Sequence, residues 1–206
     1  MKCDIGHFEI KAEGRCYNLI PSFENIMKLG DGEELIDIYN TLHGIAEAPE
    51  HPDILHDFNM YLVGLSAEVI RSCADIDPSL LLVDVVDRNG KFKLKLGSGK
   101  KLTPERQIIL AAGLVRHGVA GVNPESKSKS KGKAATSIDI WDYVNTARVH
   151  LEITRNEALS LTMTEFAKMM NIKFPPEKTA VDVISDDEYD EAMSRLAAIN
   201  KIRDVH

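Results

Sequence analysis

A short glycine-rich segment is the part of the chain closest in composition to a phosphate-binding loop. Residues 97–101 read GSGKK, and the backbone N–H groups of a glycine-rich turn can cradle phosphate beside a lysine. A P-loop needs two glycines five positions apart, followed by Lys and then Ser or Thr at the start of a helix. Here Leu102 follows Lys101. A plain hairpin turn is therefore the favoured interpretation.

The spacing of the other polar residues gives little support to metal or acid–base chemistry. The seven histidines lack metal-binding spacing, and the two closest in sequence, His51 and His56, lie on either side of Pro52. The carboxylates between Asp182 and Glu191 cluster at a predicted helix start, where capping explains them. We therefore expect no catalytic residue, no metal ligand, no cofactor and no enzymatic activity.

Four lysines alternate with small residues in a stretch that contains no large apolar side chain. Residues 123–136 read NPESKSKSKGKAAT and include Lys127, Lys129, Lys131 and Lys133. Such a stretch buries too little surface to offset the entropy of ordering, which predicts a flexible linker. The same lysines could contact a polyanion, but aromatic residues that would stack on bases are missing from the stretch. A solvated tether is favoured over nucleic-acid binding.

A soft apolar surface is predicted in the last third of the chain. Methionine and phenylalanine side chains can adapt to varied helical partners. The candidate protein-binding residues are Leu161, Met163, Phe166, Met169 and Met170. An equally favoured alternative is that these side chains close the core of the C-terminal helices.

The first part of the chain predicts a β-hairpin followed by helices. Apolar and polar residues alternate on both sides of Glu13 and Gly14, which predicts a turn between two strands. Ser22 then offers a hydroxyl cap to a helix. Apolar residues at helical spacing predict further helices over residues 33–42 and 53–74.

The middle of the chain is patterned less clearly. The apolar run at residues 80–86 is too short for periodicity to separate strand from helix, and helix is the favoured interpretation. After residue 90, Lys alternates with Phe and Leu, which predicts a small exposed hairpin. Thr103 and Pro104 begin another helix, and Gly118 is predicted to end it.

Polar caps divide the last part of the chain into short helices. Asp139 and Thr154 each begin one. The spacing from Thr162 to Glu165 is that of a capping box, which predicts a third helix start. A last helix is predicted from about residue 185.

Composition indicates a soluble protein of a reducing compartment. The chain has 206 residues, of which 44% are hydrophobic, and a net charge of −7 that disfavours nucleic acid as the general partner. Three cysteines are an odd number for a disulfide framework. Neither a signal sequence nor a membrane-spanning run is expected, so the cytoplasm is the predicted location.

These features together predict an α+β, mostly helical protein in three parts. The first is an N-terminal α+β domain over residues 1–122, with the β-hairpin at its start. A flexible Lys/Ser-rich linker follows over residues 123–136. The last part is a C-terminal helical domain over residues 137–206.

Three parts of the sequence resemble an uncharacterised family of proteins from tailed bacteriophages with long, non-contractile tails. They are MKCDIGHFEI with the later LIPSF, then LAAGLVRHGVAG, and then TARVHLEITRNEALSLTMTEFAKMMNIKFP. The last of them, with the step LTMTEF at residues 161–166, is also similar to the C-terminal module of phage tail assembly chaperones.

The resemblance implies a non-catalytic chaperone in the cytoplasm of an infected bacterium. Such a chaperone binds the tape measure protein and recruits tail tube subunits. Two alternatives stay open: a virion component, such as a tail terminator or head–tail connector, and, less favoured, a nucleic-acid-binding regulator. Self-association is also left open, and a membrane is not expected as a partner.

Overall fold

The structure of the chain is a computed structural model, and it describes the following residues: 2–45, 49, 51–87, 92–95, 102–122 and 135–175. Within them the chain forms five short strands and seven α-helices. The predicted class, α+β and mostly helical, is confirmed. None of the helices in these ranges has the length and apolar character needed to cross a bilayer.

An antiparallel sheet of three strands opens the chain. In spatial order its strands are β1 (Lys2–Asp4), β2 (His7–Ala12) and β3 (Arg15–Leu19). The predicted hairpin is confirmed as the β2–β3 pair, and Glu13 and Gly14 form its turn with φ angles of 50° and 73°. Two positive φ angles are typical of the tight turn whose twist suits antiparallel strands.

Two helices follow the sheet. The first, α1 (Phe23–Ile26), begins at Ser22, whose side chain accepts a hydrogen bond from a backbone N–H of the first turn. The second, α2 (Gly32–Leu42), begins with a capping box between Asp31 and Glu34. The predicted cap at Ser22 is therefore confirmed, because a cap depends on residues only three positions away.

A long helix and a second hairpin form the next part of the fold. Helix α3 (Pro52–Cys73) has 22 residues, and it confirms the helix predicted over residues 53–74. Strands β4 (Asp84–Asp87) and β5 (Phe92–Lys95) pair in an antiparallel manner. The predicted basic strand therefore exists as β5, but it pairs with β4 before it. The hairpin predicted from the sequence lies wholly after residue 90, with a turn at residues 97–101 that lie outside the described residues.

The prediction of a helix over residues 80–86 is wrong. The end of this run forms β4, and the side chains of Leu81, Leu82 and Val83 before it are buried. Both backbone polar groups of Val83 bond to the side chain of Gln107. That partner satisfies the backbone in an extended conformation, so a helix is not needed to satisfy it.

Helix α4 (Pro104–Val115) begins at the predicted cap, Thr103. The prediction that Gly118 ends this helix is wrong, because the chain continues through a π-helical turn at Arg116–Ala120. It leaves the helix at Gly121, which has a φ of 72°. Glycine adopts this left-handed conformation without steric cost.

Three helices complete the described fold: α5 (Ile140–Leu151), α6 (Arg155–Ser160) and α7 (Met163–Lys173). Each begins at its predicted cap, which confirms Asp139, Thr154 and Thr162 in that role. The caps of α6 and α7 are capping boxes, in which a glutamate in the first turn bonds back to the cap.

One hydrophobic core joins the elements on both sides of residues 123–136. The ring of Phe23 in α1 lies 6.3 Å from the ring of Tyr143 in α5 and 6.1 Å from that of Phe166 in α7, measured between centroids. The compact unit therefore runs over Met1–Phe174. The chain divides after this unit, whereas the sequence predicts a division at the linker. The sequence could not show this, because periodicity does not reveal which helices share a core.

The second unit of the chain is Pro175–His206. Residues 176–206 lie outside the described residues, and so does the helix predicted from about residue 185. The predicted linker also lies outside them from residue 123 to residue 134.

Candidate functional site

The five candidate protein-binding residues surround the start of α7 and mostly face the core. Met163 and Phe166 are buried, and Leu161 and Met170 pack against the same core. Phe166 is 8% exposed, whereas Met169 is 40% exposed. This placement favours the interpretation that the side chains close the helical core. Met169 is the one of the five that is open to a partner.

The candidate polyanion contacts Lys127, Lys129, Lys131 and Lys133 fall outside the described residues. The glycine-rich segment at residues 97–101 falls outside them as well. The roles suggested for both segments stay predictions.

Thr162 begins α7 with both halves of a capping box. Its Oγ1 accepts a hydrogen bond from Glu165 N at 3.1 Å, and Glu165 Oε2 accepts one from Thr162 N at 2.8 Å. Directly before this cap, Phe23 N donates to Leu161 O at 2.8 Å. The first turn of α7 is therefore attached to α1 through the backbone.

The same turn contacts the end of α4 in a region that we call the junction, formed by His117, Val122, Thr162, Thr164 and Glu165. Thr164 Oγ1 accepts a hydrogen bond from Val122 N at 3.0 Å and lies 2.9 Å from His117 Nδ1. The hydroxyl donates to His117 O at 3.4 Å. Because Thr164 is 1% exposed, its hydroxyl ties two helices together and is not placed to attack a substrate.

The surroundings of His117 favour its neutral form. Burial lowers the pKa of His117, and the positive charges of Arg116 and Lys168 lower that pKa further. A neutral ring avoids the cost of burying a charge between two helices.

Two glycines allow the helices to approach closely at the junction. A Cβ atom on Gly118 would lie 2.6 Å from Ile26 Cγ1, and one on Gly121 would lie 3.0 Å from Met163 Cγ. Both distances are shorter than ordinary contacts between carbon atoms. The sequence contains both glycines, but their spacing alone does not show what packs against them.

Three stretches that are far apart in the sequence, residues 2–23, 110–121 and 146–175, meet at or beside the junction. His7 Nε2, from the first stretch, lies 3.2 Å from Glu165 Oε1 in the last, and the two form an ion pair when His7 is protonated. A Cβ atom on Gly118 would also lie 3.0 Å from Pro21 Cβ in LIPSF. These three stretches therefore meet in the packing of the fold.

A buried glutamine holds the β4–β5 hairpin beside α3. Gln107 Oε1 accepts a hydrogen bond from Val83 N at 2.8 Å, while its Nε2 lies 3.1 Å from Val83 O and 3.0 Å from Val63 O. An ion pair between Arg71 and Asp84 also joins α3 to β4. Sequence reasoning missed Gln107, because glutamine in an amphipathic helix is normally a surface residue.

An open groove, which we call the α3–hairpin groove, lies between α3 and this hairpin. Its volume is about 300 Å³. Tyr61 and Phe92, on its two sides, are 56% and 46% exposed. The groove is lined by Met60, Tyr61, Gly64 and Leu65, with Asp57 and Glu68 beside them on α3, and by Val85, Asp87 and Phe92 of the hairpin.

Apolar exposure continues beyond the groove along the first turns of α3. Ile54 and Leu55 are both exposed. Contiguous apolar surface of this kind usually marks an interaction site. Sequence reasoning missed it because a strongly periodic apolar helix predicts burial along its whole length.

The stretch that contains the whole junction and the whole groove matches a protein family. The model of a family of unknown function, DUF6246, matches residues 19–191. The chain belongs to DUF6246. No curated protein and no solved structure matches the chain.

Three further observations on the DUF6246 stretch concern a buried thiol, metal-binding side chains and a second cavity. Burial raises the pKa of the Cys73 thiol to about 12, so this thiol stays protonated and unreactive at neutral pH. In the described part of the chain, no three His, Cys, Asp or Glu side chains are grouped to hold a metal ion. A larger cavity of about 560 Å³ lies between α2 and α5, lined in part by Tyr39 and Tyr143.

Proposed function

We propose that the protein works by binding other proteins and that it is a phage tail assembly chaperone. The observation that supports protein binding is the α3–hairpin groove, where Tyr61 and Phe92 are exposed beside apolar residues of α3. Large apolar side chains that are left open to water usually mark an interaction surface. The assignment to tail assembly rests on the resemblance of residues 146–175 to the C-terminal module of such chaperones.

In this proposal the protein shields an apolar helix of the tape measure protein in the cytoplasm of the infected host. Removing apolar surface from water is worth roughly 25 cal/mol per Å², so a groove that accepts one helix face can hold it reversibly. Tail tube subunits, once recruited, offer the tape measure protein a larger and better-packed interface. The chaperone is then displaced as the tube polymerises.

Co-expression with the tape measure protein of the same phage tests the proposal. The tape measure protein should stay soluble in a complex with the chain and should aggregate when it is expressed alone. An unrelated soluble protein of similar size and charge, expressed in place of the chain, is the control. A tape measure protein that stays insoluble beside the wild-type chain would contradict the proposal.

Purified virions separate the chaperone from a virion component. We expect a pull-down from infected cells to capture tape measure or tube protein, while finished particles lack the chain. A tail terminator or connector would instead be present in every particle, where the edge of β1 could pair with a neighbouring sheet. Detection of the chain in virions would replace the chaperone proposal with this alternative.

A further inference from the structure

Gly64 has no explanation within the part of the chain that the structure describes. It lies in the interior of α3, where glycine destabilises a helix relative to alanine. A Cβ atom at this position would meet no atom of the described residues within 4 Å. Neither the helical backbone nor packing among the described residues therefore requires a glycine here. A helix that packs closely against α3 at this point would require one.

The glycine lies in the middle of the apolar side of the groove. Met60, Tyr61, Gly64 and Leu65 follow one another at helical spacing and share one face of α3. The missing side chain leaves a notch between larger neighbours, and Phe92 stands across from it on the hairpin. A notch between apolar walls suits a helix that packs closely against α3.

The charged residues of α3 that line the groove are acidic. They are Asp57 and Glu68, which lie on either side of Gly64. The one Lys or Arg of α3 is Arg71, which is paired with Asp84. These carboxylates favour a partner helix that carries positive charge, because complementary charges raise association rates and specificity. A second copy of the chain would bring the same acidic groove and the same net charge of −7.

We propose that the α3–hairpin groove binds an amphipathic helix of a partner protein, with a small residue over Gly64 and Lys or Arg along its edges. This inference deepens the proposed function, on which its biological meaning rests, by naming the chemistry of the partner. It also explains why α3 keeps a glycine at a position where alanine would fit.

Two synthetic peptides of about 18 residues, roughly five helical turns, test the charge of the partner. They share one apolar stripe with a central alanine, and their polar positions carry Lys in one peptide and Glu in the other. We expect the full-length chain to bind the Lys peptide at least about tenfold more tightly than the Glu peptide in low salt. Equal affinities, or tighter binding of the Glu peptide, would overturn the inference.

Substitutions at the notch test where the peptide binds. Gly64→Leu fills the notch and should weaken binding of the Lys peptide by about tenfold or more. Ile109→Lys is the matched control, because Ile109 is 69% exposed and lies outside the groove, and it should leave the affinity unchanged. Thermal unfolding checks that each variant is folded. If Gly64→Leu does not fold, the affinity of Tyr61→Lys for the Lys peptide is measured instead, because Tyr61 is exposed in the groove.

Unchanged affinity in the folded groove variant would overturn the inference. So would a wild-type dimer in sedimentation equilibrium that Gly64→Leu converts to monomer, because a second copy would then be the occupant.

Co-expression with the tape measure protein separates the two proposals. If wild type and Gly64→Leu both keep the tape measure protein soluble, the groove inference fails while the chaperone proposal stands. If the wild-type chain binds the Lys peptide through the notch but leaves the tape measure protein insoluble, the chaperone proposal fails while the groove assignment stands.

Discussion

Gly118 beside the junction and Gly64 in the α3–hairpin groove are both helical glycines, but their surroundings differ. A Cβ atom on Gly118 would lie 2.6 Å from Ile26 Cγ1, whereas one on Gly64 would meet nothing within 4 Å of the described chain. The first glycine is needed for packing inside the protein. The second leaves space that the described part of the chain does not fill.

The side chains of the two regions also differ in burial. In the junction the Thr164 hydroxyl is buried and lies within hydrogen-bond distance of Val122 N and His117 Nδ1. In the groove, Tyr61 and Phe92 present exposed rings. Buried, fully bonded groups stabilise one fold, whereas exposed apolar groups gain free energy only when a partner covers them. The comparison shows that the junction stabilises the fold, and it is the exposure of the groove that supports the proposed binding role.

The largest expected change in stability distinguishes a buried from an exposed candidate binding residue. Phe166→Ala removes a buried ring and should lower the free energy of unfolding by about 3–5 kcal/mol. Met169→Ala, at an exposed position, should change it by no more than about 0.5 kcal/mol. Urea denaturation of both variants measures the difference. Similar losses for the two residues would show that burial does not distinguish them.

Gly118→Ala should destabilise the junction by about 1–3 kcal/mol, because the added methyl group overlaps Ile26. Chemical denaturation measures this loss. Gly14→Ala provides a comparison at a glycine with open space but a positive φ, where the cost comes from the backbone. A Gly118→Ala variant as stable as wild type would show that the end of α4 can move away from α1.

Gly64→Ala should raise the free energy of unfolding, whereas Gly118→Ala lowers it. The methyl group meets open space, so the unfolded chain loses conformational freedom and the protein gains about 0.4–1 kcal/mol of stability. The midpoint of thermal unfolding should rise. A loss of stability would mean that the position is constrained within the chain, which would remove the contrast with Gly118.

The smallest expected effect is a pH dependence from the junction. The pKa of His117 is lowered in the folded protein, so the unfolded chain binds the proton more readily. The contribution of His117 to stability is therefore complete above its ordinary pKa of about 6.5 and declines as the pH falls below that value. His117→Gln should lose this part of the dependence, as measured by urea denaturation at several pH values.

His56→Gln is the control for this experiment, because it removes an imidazole from an exposed position on α3. The pH dependence of its stability should follow that of the wild-type protein. A wild-type protein that gains stability over His117→Gln on acidification would contradict the assignment of a neutral His117.

Local features of the fold could be predicted well from the sequence. Ser22, Asp139, Thr154 and Thr162 all cap the helices that they are predicted to cap. A cap or a two-residue turn is decided by atoms within a few positions of the chain, so residue types and spacing are sufficient.

The errors occurred where distant residues decide the conformation. Val83 is extended because Gln107, 24 positions away, bonds to its backbone. Gly118 stays inside a helical turn, where it packs against Ile26. Burial of Met163 and Phe166 also depends on which helices meet in the core. None of these contacts has a period or motif by which the sequence could reveal it.

The sequence by itself determined the class of fold and most helix starts, because capping, turn formation and amphipathic periodicity are local properties of the chain. Only the tertiary structure decided which apolar surface is buried and which is open. Periodicity shows that a helix has an apolar face, but contact with other elements decides whether that face is covered. The start of α7 is covered by α1 and α5, while the groove side of α3 remains open at Gly64.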